Sequence, residues 1–231
     1  MSRTFKLSVL AAGLLAAAPF AQAFEAGDFS LRMGAVTVQP DASSDDVSVG
    51  GAKLDGWKVD VDDNTQLGIR FTYMVTDHIG VGVLGATPFK HNIQGDDALE
   101  GADLGSTKHL PPTVTLQYYP LASSSNVQPY AGIGVNYTTF FEEETSDTLT
   151  TALGADSTEL ELDDSVGLAL ELGVDYMLSD NFGLNAAMWW ADIDTDATIK
   201  AYDAAGNHVA TGKTEVEIDP MVYMVGFSYK F

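Results

Sequence analysis

Apolar and polar residues alternate with period two along most of this chain rather than recurring every 3.6 positions, so the expected elements are strands. The clearest runs over 64–75, where Leu67, Ile69, Phe71, Tyr73 and Val75 oppose Gln66, Gly68, Arg70, Thr72 and Met74. The same two-faced pattern predicts strands over 28–38, 79–91, 109–119, 127–141, 165–177, 182–199 and 221–231. In the last of these, Phe227, Tyr229 and Phe231 share one face, and Gly226, Ser228 and Lys230 the other. An aromatic outer face suits a strand that meets lipid, where the interfacial rims are rich in aromatics. A soluble sandwich strand carries the same alternation, so one strand alone decides nothing.

The connections decide. Strands two and three, four and five, and six and seven are joined by tight turns at 76–78, 121–126 and 178–181. The other four connections are long and acidic, at 41–62, 94–108, 142–164 and 201–212. Short periplasmic turns alternating with long external loops are the plan of an outer-membrane barrel. The expected fold is therefore all-β, an eight-stranded antiparallel transmembrane β-barrel.

Residues 1–23 have a basic start (Arg3, Lys6), an apolar run over 7–18 and small residues at Ala21 and Ala23. This is the plan of a cleaved secretory signal, and about a dozen apolar residues fall short of the ~20 that a spanning helix needs. The expected organisation is a signal peptide at 1–23 and an outer-membrane β-barrel at 24–231, in the cell outer membrane of a Gram-negative bacterium. There is no cysteine, hence no disulfide framework. The formal charge of −22 becomes −24 without the two signal-peptide cations, and no Lys or Arg occurs between Lys108 and Lys200. Phosphate binding needs cations, so nucleic acid is excluded as a partner.

Several stretches carry a resemblance: NTQLGIRFTYM (64–74), GATPFKH (85–91), HLPPT (109–113), QPYAGIGVNYTTFF (128–141), GVDY (173–176), WWADIDT (189–195) and FSYKF (227–231). In this order they resemble the outer membrane protein W (OmpW) family, with its OprG- and AlkL-type barrels, over nearly the whole mature chain. The stretch 142–164 follows no family pattern. The resemblance implies a narrow apolar channel that passes small hydrophobic molecules across the outer membrane. Its implied partners are small hydrophobic solutes, outer-membrane lipid and lipopolysaccharide.

The inward parity can be read for the same function. Near the periplasmic end it holds Arg32, Arg70, Gln117, Glu171, Asp175 and Lys230. Arg32, Arg70 and Glu171 lie at similar heights, where opposite charges withdrawn from water pair. Arg32, Arg70, Glu171 and Asp175 are thus expected to plug a periplasmic floor, whose role is structural or transport-related. Above it the inward set turns apolar, and Leu84, Trp189, Met74, Phe140 and Met224 are the expected channel lining. Leu84 and Trp189 would form its bottom. Ordinary interior packing is the alternative. A solute stopped by a closed floor must leave sideways, and Pro88, which gives the ladder no N–H, marks the expected lateral gate; a bulge that merely shapes the wall is the alternative. Pro111 and Pro112 are expected to begin the fourth strand beside it.

Other clusters carry less. Nine acids in 142–164 match no dedicated cation loop and predict a solvated, flexible surface. Asp192, Asp194 and Asp196 alternate on one face near an outer end. His91 and His109 flank one external loop, but a single histidine pair lacks metal-ligand spacing. No motif gathers a nucleophile, a base and an orienter. The sequence therefore implies no catalytic set, metal or cofactor. Two competing readings stay open: a structural or surface-interaction barrel acting through its acidic external loops, and a lipid-modifying barrel enzyme.

Overall fold

The computed structural model describes residues 24–50 and 52–231; the expected signal peptide at 1–23 lies outside the described residues. In chain order the elements are β1 (Phe29–Gln39), β2 (Ser43–Ser44), β3 (Ser48–Val49), β4 (Ala52–Lys53), β5 (Trp57–Val61), β6 (Asn64–Met74), β7 (Ile79–Ala86), β8 (Phe89–Asp97), β9 (Asp103–Leu110) and β10 (Thr113–Tyr118). They continue with β11 (Val127–Thr145), α1 (Asp147–Ala152), β12 (Ser157–Leu162), β13 (Ser165–Met177), β14 (Phe182–Ala191), β15 (Asp194–Tyr202), β16 (His208–Glu217) and β17 (Met221–Lys230).

Eight of these close on themselves. The hydrogen-bonded order is β10-β7-β6-β1-β17-β14-β13-β11, and β11 pairs back onto β10. Every pairing is antiparallel, and the closure leaves no stave with an open edge. The first and last staves meet over ten residue pairs, from Ser30↔Lys230 to Gln39↔Met221. Gly34 stands there between Gly226 and Gly68, and a Cβ on it would collide with the Val225 carbonyl.

The period-two alternation sorts the two faces as expected. Outward-facing Leu67, Phe71, Val83, Leu116, Ile133, Val166, Val225 and Phe227 are between 45 and 70% exposed. A contiguous apolar girdle of this kind is disfavoured in water and suits hydrocarbon. On β13 the outward apolar run from Val166 to Val174 spans eight steps, roughly 26 Å along the strand at ~3.3 Å per residue. Nine residues is about the length a tilted strand needs to cross the hydrocarbon core.

The long connections differ from expectation. They are mostly folded, and they raise the barrel into an external collar. The β8–β9 hairpin extends β7 and β10 outward, with β5 on its edge; the β15–β16 hairpin extends β14 and β17, flanked by β12 and the short β2 and β3. The acidic stretch 142–164 holds α1 and β12 instead of a flexible surface. Along β12 acids alternate with leucines; Leu160 and Leu162, with Leu149 and Leu153 from α1 and its end, face a common interior, while Glu161 meets Lys200 at 2.5 Å on the outside. Ser146 caps α1, its Oγ accepting from the Leu149 N–H at 3.0 Å.

Candidate functional site

At the periplasmic end the barrel is sealed by charge. Arg32 and Asp175 form a bidentate pair, Nε to Oδ1 at 2.9 Å and Nη2 to Oδ2 at 2.6 Å. The remaining Arg32 donors reach Ser30 Oγ at 3.0 Å, Thr72 Oγ1 at 2.7 Å and Tyr119 OH at 3.2 Å. Arg70 Nη2 lies 2.5 Å from Glu171 Oε1, a charge contact outside hydrogen-bond alignment. Arg70 Nη1 donates to Tyr130 OH at 2.6 Å. Glu171 Oε2 accepts from Thr115 Oγ1 at 2.7 Å and Gln117 Nε2 at 3.1 Å. All four charged side chains are essentially inaccessible to solvent. Aromatic rings pack around them: the Arg32 guanidinium lies 5.4 Å from the Phe24 ring, and that of Arg70 lies 4.9 Å from Tyr130 and 5.4 Å from Trp189. Inward-facing Gly82 and Gly132 leave the space that Gln117 and Glu171 fill; a Cβ on either would press on them.

Above the floor the interior is apolar and partly empty. A lower cavity of about 20 Å³ is lined by Val36, Leu84, Phe89, Trp189 and Val222, among others. An outer vestibule of about 80 Å³ lies within the collar, against Trp57, Val59, Phe140, Leu160, Val216 and Ile218. His109 lines both, and so stands at the junction. Its Nε2 lies 3.0 Å from His91 Nε2, and its ring stacks on Phe140 at 5.9 Å between centroids. Both histidines lie above the lipid girdle, level with the outward-facing Lys90 and Lys108. Burial, then the neighbouring His91, lowers His109 to a pKa of about 3; burial lowers His91 as well.

The wall beside the lower cavity is broken. β7 pairs with β6 up to Ala86↔Gly68, and the Thr87 N–H still reaches the Leu67 carbonyl at 3.0 Å. Beyond that point β8 turns to β9 and β5, and side chains alone bridge to β6: Thr87 Oγ1 to Gln66 Oε1 at 3.0 Å and Asn64 Nδ2 to the Lys90 carbonyl at 2.8 Å. On the other side the ladder jumps from Leu84↔Thr113 to Phe89↔His109. Residues 85–88 and 110–112 therefore share no backbone pairing. Pro88, Pro111 and Pro112 account for this, since three positions in one patch lack an N–H. Pro111 and Pro112 occupy the break itself rather than beginning a strand.

The residues singled out in the sequence fall into three groups. Arg32, Arg70, Glu171 and Asp175 meet in the floor. Leu84 and Trp189 line the lower cavity, and Phe140 the vestibule. Met74 and Met224 line neither. Met74 sits below the arginines, pairing with Gly80 at the periplasmic turn, because parity fixes a residue's face and not its height. Met224 packs one inward step below Val222, opposite Val36 and Ala187. Lys230 lies at the rim, 3.6 Å from Asp28. Asp192 and Asp194 are joined by Asp219, not Asp196, with carboxylates within 4.8 Å of one another. Tyr119, Tyr130 and Asn185 were missed in the floor although each has the inward parity. Asn185 Nδ2 donates to Asp175 Oδ1 at 3.0 Å and to Tyr130 OH at 2.9 Å.

An eight-stave closed barrel with a lipid-facing girdle, a charged interior floor and an extended outer collar defines a bacterial outer-membrane β-barrel, and the outer membrane is where it resides. More narrowly, the chain belongs to the OmpW family, whose model matches residues 25–231. It is 46% identical over 227 residues to outer membrane protein W of Vibrio cholerae serotype O1, covering 97% of each chain. It is 40% identical over 220 residues to outer membrane protein W of Escherichia coli K12, covering 94% of each. The crystal structure of outer membrane protein OprG from Pseudomonas aeruginosa superposes with a TM-score of 0.83 at 48% identity, over 91% of this chain and 99% of that one.

Proposed function

We propose that this barrel takes up small hydrophobic solutes from outside and releases them sideways into the outer membrane. A solute enters the vestibule, passes His109 into the lower cavity and meets the closed floor. It then leaves through the break around Pro88. The observation that carries this reading is the contact between cavity and break: Gly85, Ala86 and Pro111 belong to both. An apolar cavity over a sealed polar floor favours an apolar ligand and gives water and ions no through-path. Trp189 and Leu84 form the bottom of the path, and the Arg32–Asp175 and Arg70–Glu171 pairs hold the floor shut.

The test is uptake of a series of small apolar compounds into proteoliposomes by the wild type, Trp189→Arg and Pro88→Ala. Uptake that rises with solute hydrophobicity and drops in both variants supports the reading. No protein-dependent uptake at all sinks it, and leaves a barrel that acts through its acidic outer surface.

A further inference from the structure

The path contains two buried polar atoms with no partner among the described residues, His109 Nδ1 and Trp189 Nε1, and both residues line the lower cavity. Trp189 Nε1 is an N–H, hence a donor. The character of His109 Nδ1 follows from the relay it ends. The Asp62 carbonyl only accepts, and His91 Nδ1 lies 2.5 Å from it, so that nitrogen carries the proton. The ring being neutral, His91 Nε2 is then a bare acceptor. His109 Nε2, 3.0 Å away, must donate to it. One proton remains for each ring, so His109 Nδ1 is left as a bare lone pair. Asp62 and Asp63 are the charged groups that act on this pair, and the groups around His109 are otherwise apolar or aromatic.

His109, at the entrance of the lower cavity, keeps an unused acceptor and Trp189, in its wall, an unused donor, and a ligand that reaches them would supply the missing bonds. A hydroxyl donates and accepts, and so suits either atom; an ether or ketone can serve Trp189 but not His109; an alkane serves neither. We propose that the barrel prefers, among small apolar solutes, those bearing a hydroxyl, and that His109 Nδ1 accepts its proton. This inference rests on the uptake reading given above and narrows its substrate class. His109 is a specificity residue here, with His91 and the Asp62 carbonyl fixing its tautomer.

The experiment uses octane, 1-octanol and 1-methoxyoctane with the full barrel in lipid. In nanodiscs carrying ¹⁵N-labelled histidine, the expected tautomers are Nδ1–H for His91 and Nε2–H for His109. Titrating 1-octanol should move the His109 Nδ1 resonance, whereas 1-methoxyoctane should not. In proteoliposomes, corrected for protein-free vesicles, 1-octanol should enter about threefold to tenfold faster than its methyl ether, the worth of one net hydrogen bond. His109→Phe should erase that preference, so that the alcohol and its ether enter at equal rates. The reversed tautomer, an unmoved His109 resonance, or equal entry of alcohol and ether overturns the proposal while leaving the channel intact. Failure of all three solutes to enter overturns the channel and this preference together.

Discussion

The floor and the path above it are built from the same eight staves, yet they solve opposite problems. In the floor the charges are matched: Arg32 uses all five of its N–H groups, Asp175 and Glu171 are each held by several donors, and Arg70 Nη2 lies against Glu171 Oε1, although Asn185 Oδ1 and Ser228 Oγ have no hydrogen-bond partner among the described residues. Above it the lining is apolar, two polar atoms are orphaned, and the backbone ladder is interrupted beside a cavity. A matched, packed region resists change, because undoing it strands a charge. An apolar, unpaired region changes cheaply. The difference supports the proposed route, in which one small barrel is closed at one end and lets solute out through its side.

The largest effect that would break this contrast is expected in the floor. Arg32→Ala leaves the Asp175 carboxylate buried and unpaired, which costs about 3–5 kcal/mol. Denaturant unfolding in lipid or detergent should register that loss. Replacing both partners by apolar residues of similar volume should cost much less. Next comes Trp189→Arg, which sets a cation at the bottom of the path beside the Arg70 guanidinium; solute uptake should fall to that of empty liposomes. Pro88→Ala restores one N–H at the break. If that hydrogen bond is worth about 1 kcal/mol, the closed wall gains roughly fivefold and uptake should fall by a similar factor.

A smaller effect concerns the collar and pH. His109 is held near pKa 3 in the folded protein against about 6.5 when unfolded, so the unfolded chain binds the extra proton first. The sign is therefore fixed: this stabilising contribution is complete above pH 6.5 and declines as pH falls from there toward 3. Unfolding measured between pH 7 and 5, above the carboxylate range, should show wild-type stability dropping and the His109→Phe slope flattened. The smallest effect belongs to the exposed Lys200–Glu161 pair on the collar, where Lys200→Ala should leave the unfolding midpoint and uptake unchanged.

Alternation was enough to find all eight staves and to assign lipid and lumen faces, because a barrel in a membrane buries one face of every strand and exposes the other. Parity alone gives faces, and Met74, at the periplasmic end of its strand, shares the inward face with a lining it lies below. The partners Arg32–Asp175 and Arg70–Glu171 depend on the stagger between distant strands, which no single strand records. The collar was hidden differently. In 142–164 the acids drew attention, while the alternating Leu160 and Leu162 that pack inward were the structural signal. His91 and His109 could be seen to flank one loop, but their contact needed the β8–β9 register, Phe89↔His109.

The most direct test of the account is to lock the broken wall. The chain has no cysteine, so Gln66→Cys with Thr87→Cys adds a single pair across the side-chain bridge between β6 and the start of β8. The account predicts that oxidation abolishes uptake of small hydrophobic solutes into proteoliposomes and that reduction restores it. Full uptake with the crosslink complete would contradict a lateral exit at Pro88.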